Sequence, residues 1–433
     1  MAFRALGRLR RHSVTAAGVY AATVFGFLTS VAATRVLGVH DYARFATVVS
    51  VVGFFQMLMD LTVEEALVKY GFRYSAAEDW GRFRRLFELA VRFKLAGGVL
   101  ALVAIAALAP AANAVWSEGG LAAPMLVGAF VPLAQSLEGV AGGALMLRGR
   151  YDLRASFYTV SMGLRLLGVG VGSVYGVTGA LAGMLAAQVA ATIAVGLGGL
   201  AAFRRFPSAP SAALGGDRPA FRTFVVQSTV GSSLVSARST LGTMLIGLVA
   251  PLVQAGYFRN GQAPLTALGA LSSPARLVLL AEQTADYERG RRDRVMRLLW
   301  RYIAGTTLLM LVLVPVLAWL MPWLMEVAYG PEFRRHATGV ARIVLVVGAL
   351  QLIYGWTKTL PVSIGRPGLR IVAHGLEVAT FVPLLLIFGS KWGAEGAAWA
   401  MLVSTGVFCA LWTVLLLGLR DDIRTADLRA EPA

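Results

Sequence analysis

Charge is scarce in this chain of 433 residues: Asp, Glu, Lys and Arg make up 15% of it, where soluble domains carry about 25%. With 57% hydrophobic residues, that excludes a soluble globular protein, because too little polar surface remains to face water. Cysteine occurs once, at Cys409, which excludes an internal disulfide framework. The four histidines, His12, His40, His336 and His374, show none of the spacings that metal ligands need. No nucleophile–base set is visible, so neither a metal centre nor an enzyme is expected. Acidic residues number 23 against 40 basic ones, a net charge of +17. The excess does not point to nucleic acid, since the basic residues lie between apolar runs, where headgroups and cytoplasmic loops account for them.

Apolar sequence is what the chain has in plenty, in runs of roughly 20 residues, the length that crosses a hydrocarbon core of about 30 Å as a helix. About twelve spans are expected, at roughly 14–36, 43–68, 86–109, 121–147, 155–175, 179–203, 221–249, 257–280, 298–321, 337–361, 369–389 and 395–418. The class is therefore an all-α, multi-pass integral membrane protein. The basic start "MAFRALGRLRRHS" precedes an apolar stretch too long for a signal-peptide core and is read as an uncleaved first helix. Arginines crowd alternate connections, as in "RGRYDLR" (148–154) and "GRRDR" (290–294), while "PAANAVWSEGG", "YGVTG" and "APLVQAG" carry no Lys or Arg. The exceptions are Arg44, Arg334, Arg335 and Lys391. This asymmetry places both chain ends in the cytoplasm and requires an even number of spans. Within 315–345, "MPWLMEVAYGPEFRRH" has room for a short interfacial helix.

The chain also repeats itself. "LAQSLEGV" aligns with "LQLIYGWT" and "RGRYDLR" with "IGRPGLR" at an offset of 216 residues. "YGVTGALAGML" aligns with "WGAEGAAWAML" at 217, and "DYARF" with "GYFRN" at 215. Four blocks in order at nearly one offset point to a duplication, with six-helix lobes at 1–210 and 211–433 joined by the Pro/Ser/Gly-rich "RRFPSAPSAALGGDRPAFR". An even count per lobe gives both the same orientation, as parallel repeats about a central cavity, and transport is the leading function.

These residues also carry a family pattern. Arg35, Leu37, Gly38 and Tyr42, followed by Asp60 and Leu61, match the Arg-x-Leu-Gly turn, the Tyr four residues on and the Asp-Leu-Gly of polysaccharide and O-antigen flippases. Those flippases belong to the multidrug/oligosaccharidyl-lipid/polysaccharide exporter superfamily. Thr62 replaces the usual glycine; "AYGPEF", "GRP" (365–367) and "GAEGAAWA" extend the likeness over nearly the whole chain. The chain resembles that family. The resemblance implies flipping of an oligosaccharide carried on undecaprenyl pyrophosphate across the bacterial inner membrane, in biosynthesis of a surface polysaccharide such as lipopolysaccharide O-antigen. The implied partners are the lipid-linked oligosaccharide and membrane lipids, with a glycan polymerase or glycosyltransferases beside them. No bound cofactor is implied beyond a coupling Na⁺ or proton. Drug–cation antiporters of the superfamily also have twelve helices, and a non-transporting scaffold of a glycan-synthesis complex is a third reading.

An anionic headgroup needs cations along a wet path, and charges inside spans usually face cavities or partners. Arg238, flanked by Ser232, Ser233, Ser236, Ser239 and Thr240, and Arg165 are the deep candidates for bidentate phosphate contact. An internal ion pair with Glu138 or Glu377 would also account for them. Arg35, Arg44 and Arg259 sit near outer span ends, where snorkelling to headgroups explains them, though Asn260 and Gln262 beside Arg259 suit sugar hydroxyls. Lys358 and Gln351 could face the cavity from the tenth span. In "GFFQMLMDLTVEEALVKYGFR" (53–73), Asp60 falls near the cytoplasmic interface and Glu64, Glu65 and Lys69 at or beyond it. Asp60 and Glu64 share a face, and Glu65 and Lys69 can pair at i,i+4. The plain reading is a charged helix end. The sharper one is a coupling-ion site or cytoplasmic gate, with Glu282 as the repeat partner of Glu65. "GVGVGSVYG" (168–176) is read as small residues for close helix packing, not a phosphate loop.

Overall fold

The computed structural model describes residues 2–59, 63–271, 283, 286–287, 291–364 and 368–428, and among them every regular element is helical. Seven helical stretches are long and apolar enough to cross a membrane, and an eighth counts if a bent pair is one span. Two of the seven run to 60 residues (Ala17–Ala76) and 51 residues (Gly368–Gly418). At 1.5 Å per residue these are roughly 90 and 75 Å, enough for two crossings each. Their breaks explain how. Helix α1 (Ala2–Met59) is interrupted at Gly38 (φ 73°), a conformation that favours glycine. The long C-terminal helix (Gly368–Leu428) is interrupted at Gly393 (φ 58°). Both breaks fall where the sequence reading places connections between spans, and twelve spans are consistent with these lengths.

The chain divides into compact units at Met1–Leu248 and Val249–Ala433. In the first unit, α1 is followed by α2 (Val63–Ala76) and α3 (Trp80–Leu108), then by short helical pieces leading into α4 (Glu138–Leu147). Next come α5 (Tyr151–Ser173), α6 (Gly176–Phe203) and α7 (Asp217–Val249). Helices α5 and α6 meet through glycine: a Cβ on Gly168 would overlap the carbonyl of Gly183, and one on Gly172 the carbonyl of Gly179. Spacing of four puts Gly168 and Gly172 on one face, so the backbones approach as only small residues permit. The packing role read for "GVGVGSVYG" is the one seen.

The Pro/Ser/Gly-rich joint is not a loose tether. Ala212 N–H donates to the Gly81 carbonyl (3.1 Å), Ser211 Oγ to Glu88 Oε2 (2.9 Å), and Leu214 is buried in an aromatic core with Phe83, Phe87 and Phe221. Asp217 then meets Arg73 (3.3 Å), Arg82 (3.7 Å) and the Tyr74 hydroxyl (3.1 Å). These contacts tie the joint and the start of α7 to the first unit.

The second unit runs from α8 (Val253–Gly261) through α9 (Ala263–Leu271), α10 (Arg292–Tyr329) and α11 (Thr338–Ile353) to α12 (Gly368–Leu428). Gly330 (φ 106°) ends α10, and Pro331–His336 follows as the short helix anticipated there, with proline at its first turn. The core of the second unit packs Trp356 and Phe408 edge to face with Trp412. Gly176 and Gly393, aligned at the 217-residue offset, both take positive φ (78° and 58°), and the aligned Tyr42 and Tyr257 are both buried.

Candidate functional site in the first unit

A cavity of about 420 Å³ lies inside the first unit, within the range of small-molecule sites. Helices α2, α3, α4 and α5 each supply one charged group to it: Glu64, Lys94, Glu138 and Arg154. The Lys94 side chain is only 4% exposed, with Nζ 3.6 Å from Glu64 Oε1. Arg154 Nη2 is 3.6 Å from the other Glu64 oxygen. Glu138 accepts from Gln188 Nε2 at 2.9 Å, and Gln188 also reaches Thr192 Oγ1 at 3.1 Å. Gln56, Gln135 and Ser136 add neutral polar lining, and Tyr151 and Tyr158 stand exposed at its edge.

Local structure sets this geometry. Glu64 lies in the first turn of α2, whose buried face (Val63, Ala66, Leu67, Tyr70, Gly71 and Tyr74) continues the helix to Ala76. The sequence reading ends that span near 68 and puts Glu64 at or beyond the interface. In the structure it lies about 18 Å before the helix end, at 1.5 Å per residue, among groups from three neighbouring helices. Gly139 makes the room: a Cβ there would overlap the Glu64 carboxylate. Gly142 lies similarly under Arg154, where a Cβ would come to 3.2 Å from Nε.

The expected site residues scatter. Arg238 is buried and ends the first arm of α7, which bends by 49° before Thr240; nearby, Ser233 Oγ donates to the Met57 carbonyl at 3.2 Å. Arg165 is half-buried, with Nη2 3.1 Å from Met184 Sδ on α6. Arg35 is exposed on α1. Arg44 is held in an ion-paired corner by Glu118 (2.6 Å) and Asp41 (2.9 Å). In the second unit, Arg259 is half-buried on α8, the adjacent Asn260 is buried, and Lys358 is half-buried after α11. Glu65 is exposed, and the Lys69 ammonium lies over the Phe224 ring at 4.1 Å. Asp60 and Glu282 lie outside the described residues.

Lys94 is the residue sequence reasoning missed. The sequence hides it: Lys94 follows Arg85, Glu88 and Arg92 at the charged start of an apolar run, where it reads as one more interfacial cation.

With that geometry in hand, comparison places the chain. Residues 9–280 match the family model described as polysaccharide biosynthesis protein. The chain belongs to this family. No curated protein matches it in sequence. Among solved structures, an inward-facing multidrug resistance MATE family transporter of the MOP superfamily superposes with a TM-score of 0.73 at 13% identity, covering 95% of this chain and 96% of its own. The lipid II flippase MurJ, in an inward closed conformation, gives 0.71 at 14%, covering 92% and 87%. A MOP superfamily transporter from Pyrococcus furiosus, described by a binding pocket of reversed polarity that suggests a different function, gives 0.58 at 12%, covering 95% and 96%. Identities this low speak for the fold alone. This member of the polysaccharide biosynthesis family is thus an all-α, multi-pass membrane protein with the MOP transporter fold.

Proposed function

We propose that this protein flips a lipid-linked oligosaccharide, on an undecaprenyl-pyrophosphate carrier, from the cytoplasmic to the periplasmic leaflet of a bacterial inner membrane. It would do so by alternating access of its two six-helix lobes. The observation that carries the reading is Lys94, a nearly fully buried cation beside a cavity that charged and neutral polar side chains reach, in a chain of this family. Buried charges inside membrane helices are costly and persist where they contact partners or substrate. Lys94 and Arg154 supply donors for phosphate oxygens, the glutamines and Ser136 suit sugar hydroxyls, and the polyprenyl tail can stay in lipid. Arg238 at the bend of α7 and Arg165 remain candidate phosphate contacts. Arg35, Arg259, Asn260 and Lys358 remain candidates along the path. The membrane orientation, with both termini cytoplasmic, follows from the arginine asymmetry of the connections. A coupling Na⁺ or proton remains part of the proposal, with Glu64 and Glu65 as gate residues.

Deletion is expected to abolish surface glycan and leave the lipid-linked oligosaccharide on the cytoplasmic leaflet, read by leaflet-selective labelling. Full-length surface glycan in a deletion strain with no second flippase would overturn the reading. Complementation with Arg238→Ala is expected to cut surface glycan about tenfold, the worth of roughly one charge-assisted phosphate contact. Unchanged glycan with that variant would favour a scaffold. One observation favours a drug–cation antiporter: two carboxylates, Glu64 and Glu138, line the cavity. That reading expects altered drug sensitivity with intact glycan.

A further inference from the structure

Some of the polar side chains at the cavity are already bonded. Gln188, behind Glu138, donates to that carboxylate and to Thr192, and the Ser136 hydroxyl donates to the Leu133 carbonyl at 2.8 Å. Four others that line it are not. Among the described residues, the side-chain amides of Gln56 and Gln135 and the hydroxyls of Tyr151 and Tyr158 make no hydrogen bond. Both glutamines are half-buried and lie within membrane-length helical stretches, where an amide without a partner is costly. The hydroxyls of Tyr42, Tyr74 and Tyr302, by contrast, are all bonded within the protein. Tyr151 and Tyr158 are 45% and 44% exposed. Seven residues apart, they share one face of α5 at a spacing of about 10.5 Å. Arg154 and Ala155 lie between them on the same stripe, and all four line the cavity. That stripe faces protein: Ala155 is buried and Arg154 faces Glu64 of α2. Anchoring at the lipid interface, the usual use of a tyrosine near a span end, does not account for the pair.

We propose that Tyr151, Tyr158, Gln56 and Gln135 form a saccharide subsite of this cavity. A pyranose ring has apolar C–H faces and a rim of hydroxyls. The tyrosine rings offer large, rigid surfaces to those faces and lose little conformational entropy on contact. Each amide carries donors and an acceptor, and each sugar hydroxyl both gives and accepts a hydrogen bond. The other parts of a lipid-linked oligosaccharide fit less well. Ionised phosphate oxygens only accept, so the amide carbonyls would stay unpaired and the rings uncovered. A polyprenyl chain would cover the rings and strand the amides. The glycan matches both. The inference rests on the flippase reading for its ligand and goes beyond it in making these four side chains specificity-determining: they distinguish a carrier lipid that bears sugar from one that does not.

The test titrates purified full-length protein in nanodiscs with two probes, undecaprenyl pyrophosphate and undecaprenyl-pyrophosphoryl N-acetylglucosamine. The parent is expected to bind the sugar-bearing lipid about tenfold tighter than the bare one. The double variant Tyr151→Ala/Tyr158→Ala is expected to lose that preference, with the sugar-bearing lipid weakened about tenfold and the bare lipid little changed. Tyr151→Phe/Tyr158→Phe keeps both rings and should keep most of the preference. Gln56→Leu/Gln135→Leu removes the amides at similar volume and should reduce it; this variant carries the test by itself if the alanine variant melts early. Equal binding of the two probes by the parent, or a preference that survives in both the alanine and the leucine variants, overturns the proposal. Interface anchoring would weaken both lipids alike in the alanine variant, and that result overturns it too. A parent that binds neither lipid defeats the flippase reading and the subsite with it, whereas a parent that binds both equally defeats the subsite alone.

Discussion

Lys94→Met is expected to reduce transport by about 100-fold, equivalent to ~2.7 kcal/mol, the scale of losing one buried charge partner at a binding site. Methionine keeps the length and apolar stem of lysine, so the change removes the ammonium and little packing. The effect divides into two parts. The substrate phosphate loses its most deeply buried donor. The empty protein is left with Glu64 and Glu138 facing the cavity and one cation fewer. A broken buried pair costs about 3–5 kcal/mol, but Glu64 still faces Arg154 and its side chain is 35% exposed. The stability loss should therefore be smaller, about 1–2 kcal/mol after solvent screening. Transport is read as restored surface glycan in a deletion strain, normalised to protein in the membrane, and stability as thermal unfolding in detergent. Lys94→Arg keeps the charge and should retain part of the activity.

The double variant Lys94→Met/Glu64→Met separates the two parts. Removing both partners deletes the Lys94–Glu64 pair but also takes the carboxylate from Arg154, so part of the lost stability should return, while transport stays low because the donor is still missing. Transport that recovered along with stability would mean that Lys94 holds the bundle together and does not meet substrate. Arg154 offers no rescue in either case, since its own geometry toward Glu64 is as long as that of Lys94.

Why Lys94 escapes a reading of the sequence is a matter of what periodicity can report. Run length and arginine asymmetry identify a helical membrane protein, because each depends on one span at a time. The sharp turns at Gly38 and Gly393 are legible for the same local reason. Aligned blocks point to a duplication, and the aligned Gly176 and Gly393 share a positive φ. The cavity depends on four helices meeting, and the register of α2 against α3, α4 and α5 is written in packing. Arg154 reads from sequence as one more loop arginine, and Glu64 as a helix-end carboxylate. Only the continuation of α2 to Ala76 and the bare Cα of Gly139 bring them together. Arg238 and Arg165 stand out because their charges interrupt apolar runs, whereas Lys94, two residues after Arg92 and six after Glu88, reads as the end of a charged stretch.

Gly168→Ala tests the scaffold that aims α5, and with it Arg154, at the cavity. A methyl group there has no space: it would overlap the Gly183 carbonyl across the α5–α6 contact, and backbone cannot move aside as a flexible side chain can. The helices must separate, which forfeits van der Waals contact along the paired glycines Gly168/Gly183 and Gly172/Gly179. Overpacking of this kind costs about 1–3 kcal/mol, and the rigid partner puts this site at the upper end, with a marked fall in folded protein recovered from membranes. Gly170→Ala, one position beyond Val169 on the same helix, is the control. Its methyl group would meet only Ala32 Cβ at 4.0 Å, an ordinary contact, and alanine is the better helix former by about 1 kcal/mol. It should therefore be neutral or slightly stabilising in the same thermal measurement. If both variants behaved alike, the glycines would be serving helix flexibility rather than close approach, and Arg154 would owe its position to some other contact.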